Sequence, residues 1–182
     1  MINTDRHLRQ IPVDKGFYIA GFVDGEGSFY LSARQRPDYP TRWRFSLHFN
    51  ISNRDRAVLE ICRHYLGCGT LRESRPGFYT LEVERLETIG AFIIPFFKRF
   101  GFLSNKKKAE FLTFQRAYAL LQGGIRRPDE LEQVLALRQQ LNLQRQTRIR
   151  NTDAIIRKTF CFDSVSPSES LGDMKESSET TR

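Results

Sequence analysis

Cysteine and histidine are scarce in this chain, and neither is arranged for disulfides or for a metal motif. Of 182 residues only three are Cys and three are His. Cys62, Cys68 and Cys161 are odd in number and lack thiolate-ligand spacing, which excludes a disulfide framework and a zinc knuckle and implies reduced thiols in a cytosol-like compartment. His7, His48 and His64 do not cluster in sequence either. Long apolar runs are missing too: none approaches the roughly 18 residues of a membrane span, and the polar opening Met1–Gln10 is no secretory signal. Acidic residues fall short of basic ones, 21 Asp and Glu against 29 Lys and Arg, for a formal charge of +8. From Cys161 onward five acids face only Lys175 and Arg182, so residues 1–160 carry the whole basic excess. A basic body expects a polyanionic partner, most simply nucleic acid, although charge alone also fits a ribosome or a membrane surface. With 40% apolar residues the chain can bury one sizeable core, so a single domain over residues 1–160 is expected, with 161–182 as a disordered Ser- and Glu-rich tail.

What is present concentrates in Gly16–Ser28. Asp14 suits an N-cap, and Ile19, Phe22 and Val23 at i, i+3 and i+4 form an apolar helical stripe. The other side carries Phe17, Ala20, Gly21 and Asp24. Small residues in mid-helix cost propensity unless another backbone approaches closely, so a second helix is expected there. Gly25 and Gly27 are expected to end the helix through positive φ, throwing Glu26 out where a strand begins. Asp24 and Glu26 then sit at the negative end of the helix dipole, where an anion is disfavoured by roughly 0.3–1 kcal/mol and a bound cation reverses the sign. Taken alone, Asp-Gly-Glu-Gly reads as a plain turn.

Two alternating strands follow. The first sets Ser28, Tyr30, Ser32 and Arg34 against Phe29, Leu31 and Ala33. After a Pro-containing loop with Arg36, the second sets Arg42, Arg44, Ser46, His48, Asn50 and Ser52 against Trp43, Phe45, Leu47, Phe49 and Ile51. A helix to about Leu66 comes next. A hairpin across Arg75-Pro-Gly77 then presents Thr70, Arg72, Ser74, Phe78, Thr80 and Glu82 on one face, with Leu71, Tyr79, Leu81 and Val83 on the other. Leu86–Phe97 is a helical run interrupted by Pro95. Ala109–Gln122 expects a helix with Phe111, Leu112, Phe114, Tyr118 and Leu121 inward, and accessory helices run from Pro128 to about Asn142 and over Arg145–Lys158.

The stretch Ile19-Ala-Gly-Phe-Val-Asp-Gly-Glu-Gly27 resembles the signature of the LAGLIDADG homing endonucleases and related maturases, position by position in residue class. The αββαββα order over about Asp14–Asn142 also matches that family. The resemblance implies an α+β fold with an antiparallel four-stranded saddle sheet and helices on one face. It implies a metal-dependent DNA endonuclease, most simply intron-encoded, that makes a double-strand break at a long near-palindromic site with Mg2+ or Mn2+. Only one copy of the motif is present, and in this family one copy implies a homodimer with the motif helices packed together through Phe17, Ala20, Gly21 and Asp24. By the same resemblance Glu26 is the essential metal ligand, the Gly25 carbonyl also coordinates, and Asp24 is a further ligand or a buttress for the partner helix. Asn53 matches a catalytic polar residue at the end of the second strand, and Lys106 and Lys107 share the place of a lysine that organises water. The polar sheet face becomes the DNA-reading surface, through Ser28, Tyr30, Ser32, Arg34, Arg36, Arg42, Arg44, Ser46, His48, Asn50, Thr70, Arg72, Ser74 and Thr80. The alternative is a non-cleaving nucleic-acid binder on the same fold, either a maturase acting on its intron RNA or a DNA-binding regulator. The implied setting is intracellular, a bacterial cytoplasm or an organelle.

Overall fold

The computed structural model describes residues 4–143 and 146–162; the remainder of the expected tail, from 163 on, lies outside them. A short helix, α1 (Thr4–Gln10), precedes the motif helix α2 (Val13–Glu26). Then come β1 (Gly27–Gln35), β2 (Trp43–Asn53), α3 (Arg56–Leu66), β3 (Thr70–Arg75) and β4 (Phe78–Val83). The helical run after β4 comprises α4 (Leu86–Thr88), a π-helical turn (Ile89–Ile93) and α5 (Ile94–Phe100). Helices α6 (Asn105–Gly123), α7 (Pro128–Leu141) and α8 (Gln146–Thr159) follow within the described residues. The four strands form one antiparallel sheet in the order β1-β2-β4-β3. Among the described residues no helix is long and apolar enough to cross a membrane.

The period of two decides which sheet face is covered. Phe29 and Leu31 of β1, Leu47, Phe49 and Ile51 of β2, and Leu81 and Val83 of β4 are buried together against Ile19 and Val23 of α2, Leu59 of α3, Phe97 of α5 and Phe114 of α6. Register carries that division across strands: Ser28 faces Asn50, Tyr30 faces His48, Ser32 faces Ser46, Arg34 faces Arg44, and Ser52 faces Thr80. The open face is therefore continuous over β1, β2 and β4. A second, smaller core joins Trp43 to Leu131 and Leu135 of α7 and Ile156 of α8. Trp43 Nε1 donates to Thr159 Oγ1 at 2.9 Å, Asn142 Nδ2 donates to the Leu31 carbonyl at 2.7 Å, and buried Arg138 pairs with buried Asp153. These contacts fix the accessory helices to the β1–β2 hairpin.

Local chemistry corrects several expectations. Asp14 lies inside the first turn of α2, and Pro12 holds the N-cap position with no side-chain cap. The helix runs through Gly25 to Glu26, and Gly27 closes it with extended backbone (φ −81°, ψ 152°), so neither glycine is needed for positive φ. Gly27 is needed for room, because a Cβ there would lie 2.4 Å from Val23 Cγ1. Helix α6 begins at Asn105, capped by Ser104, and takes the lysine run into its first turn. Leu112 is exposed on that helix. Pro95 breaks nothing: the π turn before it shifts the register where proline offers no N–H, and Pro95 occupies the first turn of α5.

Candidate active site and nucleic-acid face

The C-terminal end of α2 is a small assembly of acids and lysine. Asp24 turns back onto the start of α6: its Oδ2 accepts from the backbone N–H groups of Leu103 (3.1 Å) and Ser104 (2.9 Å), and its Oδ1 accepts from the Ser104 hydroxyl. The Ser104 hydroxyl also accepts from Lys107 N at 3.1 Å, so one carboxylate braces the positive end of α6 through its capping residue. Burial is the largest single influence on Asp24 and raises its pKa, but hydrogen bonds from Ser104 and Leu103, with the Lys107 charge, bring it below the ordinary carboxylate value. Both oxygens of Asp24 are thus engaged within the chain.

Glu26 is the opposite case. It is exposed on the last residue of α2, and among the described residues it has no hydrogen-bond or ion-pair partner. No basic residue occupies the last turn of the helix. Lys107, only 6% exposed, donates from Nζ to the Gly27 carbonyl at 2.7 Å and to Glu110 Oε2 at 2.9 Å, with its ammonium 5.9 Å from the Phe29 ring centroid. Lys106 points into solvent, which separates the two lysines that sequence left together. Asn53 ends β2 two residues past Ile51, the partner of Gly27, and its Oδ1 accepts from Asp55 N at 2.8 Å. Glu26, Lys107 and Asn53 therefore lie at the same end of the β1–β2 pair. Glu110 escaped the sequence reading; its i, i+3 spacing from Lys107 was the signal.

An exposed, unpaired carboxylate beside the carbonyl end of a helix is a set of hard oxygen donors in negative potential. That donor chemistry fits a hard divalent cation, which Glu26 and the carbonyl of exposed Gly25 could hold.

The outward side of α2 shows Val13, Phe17 and Tyr18, each more than half exposed, with exposed Gly21 one turn on. A Cβ added at Gly21 would meet nothing within 4 Å, while one at Gly16 would run into the Phe100 ring at 2.1 Å. The two glycines thus differ: Gly16 is pressed against the chain's own α5, and Gly21 faces open space. Ala20, expected on the outward side, is instead 2% exposed and belongs to the main core. Leu103, 91% exposed, lies at the Asp24 end of the same side.

On the open sheet face Ser28, Arg34, Arg42, Arg44, Thr70, Arg72 and Ser74 are exposed, and Tyr30, Ser32, Ser46 and Asn50 are half-buried. Arg36 is committed to Asp38 in the β1–β2 loop by bonds of 2.8 and 2.6 Å, which hold that carboxyl down at about 2. Two expected reading residues are buried. Thr80 is bonded to Ser52 and Ser74, and His48 lies under Tyr30, with parallel rings 4.4 Å apart. Burial, the largest influence, pulls His48 below its ordinary pKa and Arg34 adds to that, against Glu84 and Glu82 pulling upward. Glu82 accepts from Tyr30 (3.1 Å) and Arg72 (2.6 Å), an acidic centre on an otherwise basic face.

Residues 19–118 match the sequence profile described as LAGLIDADG endonuclease, more than half of the chain, beginning at the first position of the motif. The chain belongs to the LAGLIDADG endonuclease family. It is 32% identical over 96 residues to the homing endonuclease I-ApeII of Aeropyrum pernix, covering 51% of this chain and 57% of that protein. The chain thus spans little more than half of that curated relative. The crystal structure of the homing endonuclease I-TnaI superposes with a TM-score of 0.72 at 26% identity, over 81% of this chain and 99% of that one. The LAGLIDADG homing endonuclease I-SmaMI bound to cleaved DNA shares the fold, with a TM-score of 0.69 at 22% identity over 78% of this chain and 48% of that one. The α+β architecture expected from the sequence is the observed one.

Proposed function

We propose that this LAGLIDADG protein is a site-specific DNA endonuclease that works as a homodimer and makes a divalent-metal-dependent double-strand break at a long near-palindromic site. The observation that carries the reading is the contrast between two neighbouring acids: Asp24 is used up bracing α6, and Glu26 is exposed and, among the described residues, unpaired. Glu26 and the Gly25 carbonyl would hold the cation, Mg2+ or Mn2+, and when bound there it would supply Lewis-acid activation of a water and charge stabilisation at the phosphate. Lys107 fixes the Gly27 carbonyl and so the direction in which Glu26 leaves the helix. Asn53 supplies a polar group at the neighbouring strand end, where it orders water near the scissile phosphate.

A twofold axis beside α2 brings Glu26 of one protomer near Glu26 of its partner, one for each DNA strand. Phe17, Gly21 and Leu103 form the contact. Arg34 and Arg44, adjacent across β1 and β2, face the DNA with Ser28 and Asn50. A two-stranded ribbon of this kind fits the major groove, where arginine selects guanine and asparagine adenine. The test is incubation of the purified protein and Mg2+ with the intronless allele of its host gene. A double-strand cut at the exon junction is expected; binding without cutting at any Mg2+ or Mn2+ concentration would overturn the endonuclease reading.

A further inference from the structure

On the open sheet face, away from Glu26, a histidine and two glutamates stand with their donor atoms turned toward one another. His48 of β2 and Glu82 of β4 have side chains about 10% exposed, and Glu84 just after β4 is 53% exposed. His48 Nδ1 lies 3.5 Å from Glu82 Oε1 and 3.6 Å from Glu84 Oε1. It is a fully buried nitrogen without a hydrogen-bond partner, and the three ligand atoms fall within 4.8 Å of one another. We propose that His48, Glu82 and Glu84 form a binding site for one transition-metal dication of the Zn2+ type, distinct from the Glu26 site.

Three features select this reading. The Ser32 hydroxyl lies 2.8 Å from His48 Nε2, and while it donates to the Ser46 carbonyl (3.4 Å) it accepts from Nε2–H. That direction leaves the Nδ1 lone pair facing two carboxylates, a repulsive arrangement that a cation between them converts into ligation. The hydrogen bond on the far ring nitrogen is also the usual outer support of a ligating histidine. Second, the spacing fits. Bonds of about 2.0–2.1 Å in tetrahedral geometry set ligand atoms roughly 3.4 Å apart, close to both observed separations. Third, the rest of Glu82 is already tied down: Arg72 holds Oε2 at 2.6 Å and the Tyr30 hydroxyl supports Oε1 at 3.1 Å, so Oε1 is presented as a single oriented ligand. Three protein ligands leave a fourth position open, and a groove of about 410 Å³ beside Thr70, Arg72 and Arg85 gives access from solvent. Imidazole with two carboxylates suits Zn2+, Co2+ or Mn2+ better than an all-oxygen Mg2+ shell. With its cation bound, an anionic spot becomes nearly neutral on a face otherwise rich in arginine.

The experiment is titration of the full chain with ZnCl2 against a chromophoric chelator, in wild type and in a Glu26→Gln background. One Zn2+ per chain is expected in both, with at least tenfold weaker binding in Glu84→Gln, a change at an exposed residue that leaves the fold alone, and in His48→Ala. Zn2+ should raise the thermal midpoint of wild type and leave that of Glu84→Gln unmoved. Substituted Co2+ should give a tetrahedral spectrum without thiolate charge transfer. Absence of stoichiometric Zn2+ binding, an unchanged affinity in Glu84→Gln, or a cobalt–thiolate band assigning the metal to cysteine would overturn the proposal. None of these readouts depends on DNA cleavage.

Discussion

Gly21→Leu separates folding from assembly, because the position is empty in the protomer and central to the proposed dimer. Within the chain a Cβ at Gly21 meets nothing within 4 Å, so no clash opposes the change. Replacing a mid-helix glycine by leucine then favours the helical protomer by roughly 0.5–1 kcal/mol through propensity alone. In a twofold dimer the same change acts twice, since both motif helices carry it. Overpacking a close contact costs about 1–3 kcal/mol per site, hence roughly 2–6 kcal/mol for the pair. At about 1.4 kcal/mol per factor of ten, the dimer weakens roughly thirty-fold to ten-thousand-fold. Sedimentation over a concentration series reads the dimer constant, and urea unfolding of the diluted protomer reads its stability. The expected result is a protomer at least as stable as wild type that no longer pairs or cleaves. An unchanged dimer would refute the α2 interface, and a protomer destabilised by more than about 1 kcal/mol would refute the open geometry at Gly21.

Other substitutions test neighbouring parts of the account. Gly16→Ala, where the new Cβ would lie 2.1 Å from the Phe100 ring, should destabilise by about 1–3 kcal/mol despite its better helix propensity, measured by urea unfolding. Asp24→Ala should cost about 1–3 kcal/mol by stripping acceptors from Leu103 N and Ser104 N. Because the folded-state pKa of Asp24 is depressed, that difference should be fully present above the ordinary unfolded carboxylate value and vanish as pH falls through the folded one; a difference independent of pH would contradict the brace. Arg44→Ala should relax base preference at one symmetric pair of target positions by roughly 1–3 kcal/mol, read by binding over single-base variants of the site. Uniform weakening across the library would reduce that face to a source of charge. Lys107→Met should slow cleavage and leave base preference unchanged in the same library.

Much of the architecture was legible because two periodicities rarely compete. The strict alternation from Trp43 to Ile51 could bury its apolar side only as a strand, and the register with β1 and β4 kept every alternate residue on the expected face. Boundaries were harder. Gly25 and Gly27 look like terminators, yet the helix runs to Glu26, and the constraint on Gly27 is contact with Val23, a crowding that sequence does not display. Ala20 and Leu112 went to the wrong sides because an apolar stripe on a helix has a width, and only the packed neighbours settle its edges. At the candidate site, the motif pointed to Glu26 and Asp24 together, and their divergence came from Ser104, 80 residues away in the chain. Alternation put His48 on the polar sheet face, beside Tyr30; its burial arises from stacking under Tyr30 and from Glu82, contacts across strands that a linear pattern cannot rank.

The central claim, that Glu26 holds the cation for strand cleavage, is tested most directly by Glu26→Gln. The amide keeps the shape and removes the charge that attracts the ion, and since Glu26 is exposed and among the described residues has no hydrogen-bond or ion-pair partner, the change breaks no such bond. Cleavage of the target in Mg2+ and binding to the same duplex in Ca2+ are measured side by side for wild type and variant. The prediction is binding within a few-fold of wild type and no detectable cutting on either strand. Cutting at the wild-type rate would contradict the assignment.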